Sequence, residues 1–457
     1  MVQYPFLIQV LLLILMANGV TTEVRGIQSA PRVILISIDG LKPEYVLDAD
    51  RYRLNIPNLR RLHRAGAAAR HVTGVIPTVT YPSHTTLLTG VSPARHAIVA
   101  NTPFDPLGLN QGGWYWYFED VRALTLWEAC RQAGLKTASV DWPVSVGAPI
   151  DWNIVQFWRT GTPDDRKLIR ALSTPGLLTE AERALGNYPE GYDYTVEADL
   201  RRAEFNAWLL ETRRPNFQTV YFAGLDSVQH ESGPDSPAAL AALERIDAAV
   251  GRVWSAAGSQ ATIVVASDHG FMPLQNEVRL NVALREAGLI TVAKGVQKTK
   301  IESWRAITWG SGGSGAVVLR DPADEEARRL VGALLERLVA DPQSGLLASF
   351  GPGDPRRSGA FPGAAYVVGT RPGYYLGGSL DGPLIQPLRR GDHSGGGHGF
   401  LPQLPEMDSS FFIAGPGLPA GFDLGRIDMR DIAPTLASRL GVQLPAAEGR
   451  NLFEGQR

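Results

Sequence analysis

The chain has 457 residues, of which 44% are hydrophobic and 20% are charged, and its formal net charge at pH 7 is −2. These values are ordinary for a globular protein, and the balanced charge gives no reason to expect a nucleic-acid polymer or an anionic membrane as the main partner. Cys130 is the single cysteine, which excludes an intramolecular disulfide.

The first 22 residues resemble a secretory signal peptide. An apolar run from Phe6 to Met16 precedes the small and polar residues Ala17, Asn18 and Gly19. The run is shorter than the roughly 20 residues of a membrane span. No Lys or Arg precedes it, and a buried first helix is the alternative interpretation. We therefore predict a signal peptide at residues 1–22, a single domain at residues 30–457, a periplasmic or secreted location and no stable membrane span.

Strand-like and helix-like segments alternate along most of the remaining chain. Apolar runs predict strands at 33–38, 136–140, 220–225, 262–266, 316–319 and 364–368. Periodic patterns between them predict helices at 58–65, 125–132, 200–212, 237–257 and 325–340. This order predicts an α/β fold with a mainly parallel central sheet and helices on both faces.

Two regions interrupt the alternation. Residues from about 101 to 160 form an insert rich in Trp, Tyr and Phe, which predicts a cap that lines a pocket. Aromatic packing beneath long loops is the alternative. Residues from about 351 to 399 are rich in Gly and Pro, which predicts irregular loops with room for a short hairpin.

Three of the predicted strands lead directly into acidic residues, namely Asp39, Asp226 and Asp268, the last followed by His269. In open α/β sheets, ligands bind outside the carboxyl ends of the strands, so we expect these side chains to converge. Carboxylates gathered in one crevice repel one another unless cations lie between them. The pattern therefore predicts a metal site.

Two further histidines extend this candidate site. His230 follows Asp226 by four residues, which places both side chains on one face if a helix begins there. His398 lies in the motif GGGHGF, whose glycines let the backbone approach a ligand closely. Mixed carboxylate and imidazole ligands suit zinc or a similar divalent ion, whereas calcium favours oxygen ligands alone. Each pattern is weak alone, and the combination carries the prediction.

The segment PTVTYPSH at residues 77–84 places hydroxyl groups close to a predicted helix start at Ser83 or His84. Thr78, Thr80 and Ser83 are all candidate nucleophiles, because a helix N-terminus is a favourable place for a phosphate group. Capping of the helix by these hydroxyls is the alternative interpretation. Chemistry alone leaves the three candidates open.

Six motifs occur in the order found in one family: VILISIDG, PTVTYPSH, TGVSPARHAIVAN, GLDSVQH, ASDHG and GGGHGF. From about residue 32 to residue 440 the chain resembles the nucleotide pyrophosphatases/phosphodiesterases of the alkaline phosphatase superfamily. The resemblance implies an alkaline-phosphatase-like catalytic domain and a phosphodiester or pyrophosphate hydrolase that acts through a threonine.

The resemblance also implies a site with two divalent metal ions, Zn²⁺ by preference. One ion would be held by Asp39, Asp268, His269 and Thr80, and the other by Asp226, His230 and His398. His398 is preferred over His393 as a ligand because it is followed by glycine and an aromatic residue, as in the family.

Three substrate-facing roles follow from the same resemblance. Thr80 would be the nucleophile, Asn101 would donate a hydrogen bond to a phosphoryl oxygen, and the ring of Tyr81 would stack on a base.

The resemblance leaves the small-molecule substrate open. A nucleotide or related diester is expected, and a phosphonate or a lysophospholipid or choline phosphodiester is the alternative. A sulfatase is excluded because Cys130 lacks the required C/S-x-P-x-R setting. An exported, metal-stabilised binding protein is the non-enzyme alternative, although such a protein would need neither Thr80 nor Asn101.

Overall fold

The central sheet is organised around the strand Val33–Ile38, all six of whose residues are buried. The computed structural model describes residues 31–293, 299–357, 359–389 and 395–455, so the predicted signal peptide lies outside the described residues. Five strands are parallel neighbours in the spatial order Thr262–Ala266, Val33–Ile38, Phe217–Phe222, Thr137–Val140 and Trp152–Ile154. The predicted mainly parallel sheet is confirmed.

Three further strands complete this eight-stranded sheet. Phe411–Ala414 pairs antiparallel with Thr262–Ala266, and Ala67–Ala68 and Phe422–Asp423 continue the sheet beyond it.

Alternating side chains of the central strand serve two hydrophobic cores. Ile34 and Ile36 pack in one cluster, with residues of the helices at 57–65, 196–212 and 237–257. Val33 and Leu35 pack in the other cluster, with residues of the helices at 80–89, 126–132 and 432–440. Each fully buried side chain of this size contributes about 1.5–3 kcal/mol. Because both faces are covered, the strand is apolar at every position but Ser37 and shows no alternation of apolar and polar residues.

The elements have the following bounds. The described α-helices are Glu44–Leu47, Pro57–Ala65, Thr80–Thr89, Pro93–His96, Leu126–Gln132, Asp164–Leu172, Leu177–Leu185, Val196–Thr212, Gly224–Ser232, Pro237–Ala257, Leu280–Glu286, Glu325–Ala340 and Ile432–Leu440. Outside the central sheet, the described strands are His71–Thr73, Met272–Pro273, Asn276–Val278, Ile290–Ala293, Lys300–Trp304, Ala306–Ser311, Ser314–Leu319, Leu346–Phe350, Tyr366–Thr370, Tyr374–Leu376, Ile385–Pro387, Gly396–Gly397 and Arg426–Asp428. None of the described helices combines the length and apolar character needed to cross a membrane.

The strands predicted at 316–319 and 364–368 do not continue the central sheet. They belong to a separate four-stranded antiparallel sheet, ordered Ala306–Ser311, Ser314–Leu319, Tyr366–Thr370 and Leu346–Phe350. The first two strands are joined through Gly312 and Gly313 alone, and a two-residue connection can join only antiparallel neighbours.

The two irregular regions contain more packed structure than the sequence predicts. Trp116, Trp142 and Phe157 of the aromatic insert are buried, so much of the insert packs beneath its loops rather than lining a pocket. The Gly- and Pro-rich region contains the strands Tyr366–Thr370, Tyr374–Leu376, Ile385–Pro387 and Gly396–Gly397. The last of these strands positions a candidate ligand.

Candidate metal centre

Two parallel strands bring the first candidate ligands together. Ser37 and Ala266 are partners in the sheet register, and Asp39 follows one strand while Asp268 and His269 follow the other. The Nε2 atom of His269 lies 3.2 Å from Asp39 Oδ1 and 3.2 Å from Asp268 Oδ2. All three residues are buried.

The sequence predicts Asp226 at the end of a strand, whereas the structure places it in a helix that reaches the same edge of the sheet. The strand ends at Phe222, and Asp226 lies in the first turn of the helix Gly224–Ser232. One turn later on the same helix, His230 Nε2 lies 3.4 Å from Asp226 Oδ1. The early end of the strand thus places the carboxylate and the imidazole on one helical face.

His398 completes the second group from a distant part of the chain. The strand Gly396–Gly397 pairs antiparallel with Met272–Pro273, which brings His398 Nε2 to 3.6 Å from Asp226 Oδ1. His393, the other histidine considered as a ligand, lies outside the described residues.

The two groups meet at Asp226. In the described part of the chain, two sets of side chains have ligand atoms within 4.8 Å of one another: Asp226 with His230 and His398, and Asp226 with Asp39 and His269. The rings of His269 and His398 stack with centroids 3.6 Å apart. Asp226 is therefore close to both groups rather than to one alone.

Unpaired buried atoms at the centre of the cluster test whether a metal fits. Among the described residues, four of these atoms have no hydrogen-bond partner: Asp39 Oδ1, Asp226 Oδ1, Asp268 Oδ2 and His269 Nε2. An unsatisfied buried polar atom costs about 1–3 kcal/mol, and a cation among these atoms would satisfy all four. Carboxylate oxygens and imidazole nitrogens are ligands that zinc and similar divalent ions accept. The residues fit a metal centre.

Each of the three histidines is oriented by a backbone carbonyl. The Nδ1–carbonyl distances are 3.0 Å for His230 with Gly396, 3.1 Å for His269 with Gly270, and 3.2 Å for His398 with Thr78. A carbonyl can only accept, so each Nδ1 carries the proton and each Nε2 offers its lone pair to the cluster. Such contacts are the usual way in which a protein fixes a ligating imidazole.

In the absence of cations, the three carboxyl groups do not ionise equally readily. Burial, then repulsion from Asp226 and Asp268, raises the pKa of Asp39 well above its ordinary value. Burial, then repulsion from Asp226, raises the pKa of Asp268 to about 7. Although burial acts in the opposite direction, His230 and then His398 lower the pKa of Asp226. Bound cations would allow all three groups to ionise.

Several supporting residues are not among the site residues that the sequence predicts. The Tyr221 hydroxyl donates to Asp39 Oδ2 at 2.5 Å, and the Gly40 amide donates to Asp268 Oδ1 at 3.2 Å. Ser37 and His84 form a second contact, with His84 Nε2 2.8 Å from the Ser37 hydroxyl. Tyr221 could be suspected only as a polar ring on the strand next to Asp39.

The candidate nucleophile begins a helix. The helix starts at Thr80, earlier than the predicted Ser83 or His84. The Thr78 hydroxyl donates to the Phe400 carbonyl at 2.7 Å, and Ser83 is fully buried. Thr80, with 8% of its surface exposed, is the most accessible of the three hydroxyl residues. His84 Nδ1 links this turn to the cluster, since it lies 2.7 Å from the Thr80 carbonyl and 3.6 Å from Asp268 Oδ2.

Asn101 has one end of its side chain fixed by the backbone and lines a cavity. Its Oδ1 accepts the Tyr81 amide proton at 2.9 Å, so the acceptor half of the side chain is used by the backbone and the NH₂ half can donate to a ligand. The cavity beside it has a volume of about 390 Å³. Its lining includes Asn101, His230, Leu274, Tyr375, Leu388 and His398. A larger cavity of about 730 Å³ lies near His71 and includes none of the candidate site residues in its lining.

The structure gives Tyr81 a different role from the expected base stacking. Its side chain is 1% exposed, its hydroxyl donates to Gln156 Oε1 at 2.8 Å, and its ring packs edge-on against Trp114 at 5.2 Å. A ring enclosed in this way presents no face to the cavity. Tyr81 instead anchors the start of its helix to the aromatic insert.

The fold and the cluster together define an α/β protein with a candidate metal centre at the carboxyl edge of its central sheet. The sequence matches the family described as type I phosphodiesterase / nucleotide pyrophosphatase over residues 33–351, and the chain belongs to this family. The resemblance inferred from the six motifs is confirmed.

Curated relatives match over part of their length. Ectonucleotide pyrophosphatase/phosphodiesterase family member 3 of Rattus norvegicus is 27% identical over 255 residues, which cover 52% of this chain and 25% of that protein. Bis(5'-adenosyl)-triphosphatase ENPP4 of Homo sapiens is 23% identical over 287 residues, which cover 60% of this chain and 55% of that protein. The chain thus matches from a quarter to about half the length of these relatives.

Solved structures share the fold. Murine ectonucleotide pyrophosphatase/phosphodiesterase 5, in an inactive form in complex with AMP, matches with a TM-score of 0.62 at 19% identity, covering 92% of this chain and 97% of that chain. Human ectonucleotide pyrophosphatase/phosphodiesterase 5 matches with a TM-score of 0.61 at 18% identity and the same coverage. These matches confirm the predicted alkaline-phosphatase-like fold.

Proposed function

We propose that this protein is a metal-dependent phosphodiester and pyrophosphate hydrolase with Thr80 as its nucleophile. The observation that carries the proposal is the cluster of four unpaired buried ligand atoms, linked through His84 to the helix turn that begins at Thr80. Membership of the type I phosphodiesterase family supports the same reaction class.

Two sets of residues would hold the metal ions. Asp39, Asp268, His269 and Thr80 form one set, and Asp226, His230 and His398 form the other. Two divalent cations, Zn²⁺ by the chemistry of the donors, would supply positive charge that lowers the pKa of the attacking hydroxyl and neutralises phosphoryl oxygens.

The chain's own groups then account for the reaction. The Thr80 oxygen forms a bond to phosphorus while the bond to the leaving oxygen breaks, and the hydroxyl proton passes to solvent or to the leaving group. The NH₂ group of Asn101 donates to a phosphoryl oxygen and so stabilises its negative charge. Water then cleaves the threonyl phosphate and restores the Thr80 hydroxyl.

A nucleotide or related small diester is the proposed substrate, with no nucleic-acid polymer as a partner. The names of two relatives, bis(5'-adenosyl)-triphosphatase and venom phosphodiesterase, support this class. Phosphonates and lysophospholipid or choline diesters are the alternatives within the superfamily. The apolar run from Phe6 to Met16 and the names of the ecto- and venom enzymes support a periplasmic or secreted location.

Replacement of the nucleophile tests the proposal. We expect Thr80→Ala to lower kcat for the p-nitrophenyl ester of a nucleoside 5'-phosphate by about a thousandfold or more, because no other group replaces the attacking oxygen. Thr80→Ser keeps a hydroxyl and should retain measurable turnover. Zinc content, measured by elemental analysis, should stay near that of the wild type.

Thr89→Ala is the matched control, since it removes a buried hydroxyl from the other end of the same helix. Wild-type turnover by Thr80→Ala would show that Thr80 is not the nucleophile. A panel with a phosphonate, a phosphocholine ester and a monoester would then separate the substrate classes.

A further inference from the structure

We propose that Gln229 is a positioning residue of the metal centre, because its side-chain amide ties the turn after Asp39 to the helix Gly224–Ser232. That helix carries the candidate ligands Asp226 and His230, and Gln229 lies between them and is fully buried. The inference rests on the proposed function in one respect, namely that the cluster holds metal ions. It assigns a role to a residue that is not itself a candidate ligand.

The side-chain amide of Gln229 is hydrogen-bonded at both ends. Its Nε2 donates to the Gly40 carbonyl at 3.0 Å, and its Oε1 accepts from the Tyr45 hydroxyl at 3.4 Å. A carbonyl can only accept, so the NH₂ end of the amide must face Gly40. The Tyr45 oxygen in turn accepts the Asp235 amide proton at 2.9 Å, which leaves the hydroxyl proton for Oε1. The neighbours of Gln229 therefore fix the orientation of its amide.

Gly40 connects this contact to two candidate ligands. It follows Asp39 directly, and its amide donates to Asp268 Oδ1 at 3.2 Å. Its φ of +67° lies in the left-handed region, which glycine adopts without strain. A Cβ on Gly40 would lie 2.7 Å from Gln229 Nε2, so the turn and the amide are in close contact. The amide of Gly40 thus holds one ligand while Gln229 holds its carbonyl.

The contact joins the two groups of candidate ligands. The turn belongs to the group with Asp39 and Asp268, whereas the helix belongs to the group with His230. Asp226 has ligand atoms close to both groups, so a shift of the turn relative to the helix would change the distance from Asp39 to Asp226. Residues that orient metal ligands raise the affinity for the metal. Loss of the Gln229 contact should therefore weaken the ion held by Asp39 and Asp268 more than the other ion.

Gln229→Met tests the contact, because methionine has a similar length and suits a buried site but cannot donate to the Gly40 carbonyl. Titration of the metal-free protein with Zn²⁺, in competition with a coloured chelator, measures the dissociation constants. We expect one equivalent of Zn²⁺ to bind about tenfold more weakly than in the wild type and the other to change by less than about threefold. The visible absorption spectrum of the Co²⁺-loaded protein should also change, because the ligands of one ion shift.

Gln218→Met is the matched control. Gln218 is also a fully buried glutamine, and its Nε2 donates to the Asn206 carbonyl at 2.9 Å. It lies near the start of the strand Phe217–Phe222, at the opposite end of that strand from the metal centre. This variant should lower Tm by a similar amount without a change in zinc affinity or in the Co²⁺ spectrum. Wild-type zinc binding by Gln229→Met would overturn the inference, as would the same loss of zinc affinity in Gln218→Met.

A second variant and the wild type itself complete the test. The side chain of Gln229→Asn keeps the amide but is one methylene too short to reach Gly40, so it should show the same selective loss even if Gln229→Met does not fold. If the wild type binds Zn²⁺ but hydrolyses no diester, the proposed function fails and the zinc affinities of the variants still decide the role of Gln229. If the wild type binds no Zn²⁺, both the proposed function and the role of Gln229 are wrong.

Discussion

Four histidines at or beside the candidate metal centre differ in their capacity to bind a metal. His230, His269 and His398 each use Nδ1 on a carbonyl and direct Nε2 towards Asp226 or Asp39. His84 contacts the Thr80 carbonyl and the Ser37 hydroxyl through its two nitrogens. Both of its nitrogens are therefore used within the protein, and His84 supports the Thr80 turn instead of serving as a ligand.

Another buried histidine makes stability depend on pH. His96 Nδ1 accepts the Ile98 amide proton at 3.2 Å, and burial lowers the pKa of His96 from 6.5 to about 3. Because the unfolded chain binds this proton more readily than the folded protein, the free energy of unfolding falls as the pH falls below 6.5. Between pH 6.5 and 4.5 the loss is about 2–3 kcal/mol for this residue.

Denaturant unfolding of the metal-free protein across this pH range measures the effect. His96→Asn keeps an acceptor for the Ile98 amide but has no ionising group, so its profile should be less steep by about one proton. An equal slope in the variant and the wild type would show that His96 is not held neutral.

At the scale of elements, a buried carboxylate fixes the helix that carries Asp226 and His230. Asp199 accepts the amide protons of Ala223 and Gly224 at 3.1 and 2.7 Å, just where that helix begins. Arg202 lies 3.1 Å from Asp199 and is fully buried with it. A Cβ at position 224 would lie 2.8 Å from the Asp199 carboxylate. Asp199 therefore sets the position of the helix relative to the sheet.

Asp199→Asn should weaken zinc binding about tenfold, the usual size of a change in a residue that orients metal ligands. An amide cannot accept at both of its ends, so one of the two bonds to the helix start is lost. Competition with a coloured chelator measures the affinity, and denaturant unfolding measures the accompanying loss of stability, about 1–3 kcal/mol.

Asp247→Asn is the matched control. Asp247 accepts the amide protons of Asn58 and Leu59 at 3.1 and 2.7 Å, at the start of a helix that carries no candidate ligand. It should lose similar stability without a change in zinc affinity. Equal weakening of zinc binding in both variants would show that Asp199→Asn weakens zinc binding only through a general loss of stability.

Local sequence patterns predict a helix or strand well where residues within that segment mark its ends and its buried face. The helices Pro237–Ala257 and Glu325–Ala340 have the predicted bounds, because N-caps at Ser236 and Asp324 and apolar periodicity mark them. The apolar strand Val33–Ile38 is likewise predicted in full.

Features that depend on distant residues could not be predicted in the same way. The position of His398 depends on a two-residue pairing with Met272–Pro273, and the burial of Tyr81 depends on a contact with Gln156, 75 positions away. Family resemblance assigns a ligand role to His398 without this geometry. It assigns base stacking to Tyr81 in conflict with the geometry.

At the scale of the whole molecule, the candidate metal centre connects parts of the chain that are far apart in sequence. Asp39, Asp268 and His269 follow strands of the central sheet, Asp226 and His230 lie on a helix, and His398 follows a strand outside that sheet. The His398 backbone also contacts the antiparallel sheet, because its carbonyl accepts the Gly313 amide proton at 2.9 Å. Metal binding should therefore stabilise the packing of all these parts.

Removal of the metal should lower Tm by roughly 5 °C or more at pH 8, because ligand binding at a thousandfold excess over Kd contributes about 4 kcal/mol. Differential scanning calorimetry with chelator, followed by addition of Zn²⁺, measures the loss and its recovery. Asp39→Asn should change the metal-free protein in the opposite direction. Burial and the charges of Asp226 and Asp268 raise the pKa of Asp39, so its ionised carboxylate destabilises the metal-free fold. Without metal this variant should melt at or above the wild-type temperature, and Zn²⁺ should raise its Tm by less than half the wild-type increase. A metal-free variant that melts well below the wild type would show that Asp39 stabilises the fold directly, and the carboxylate cluster would then not depend on cations for its stability.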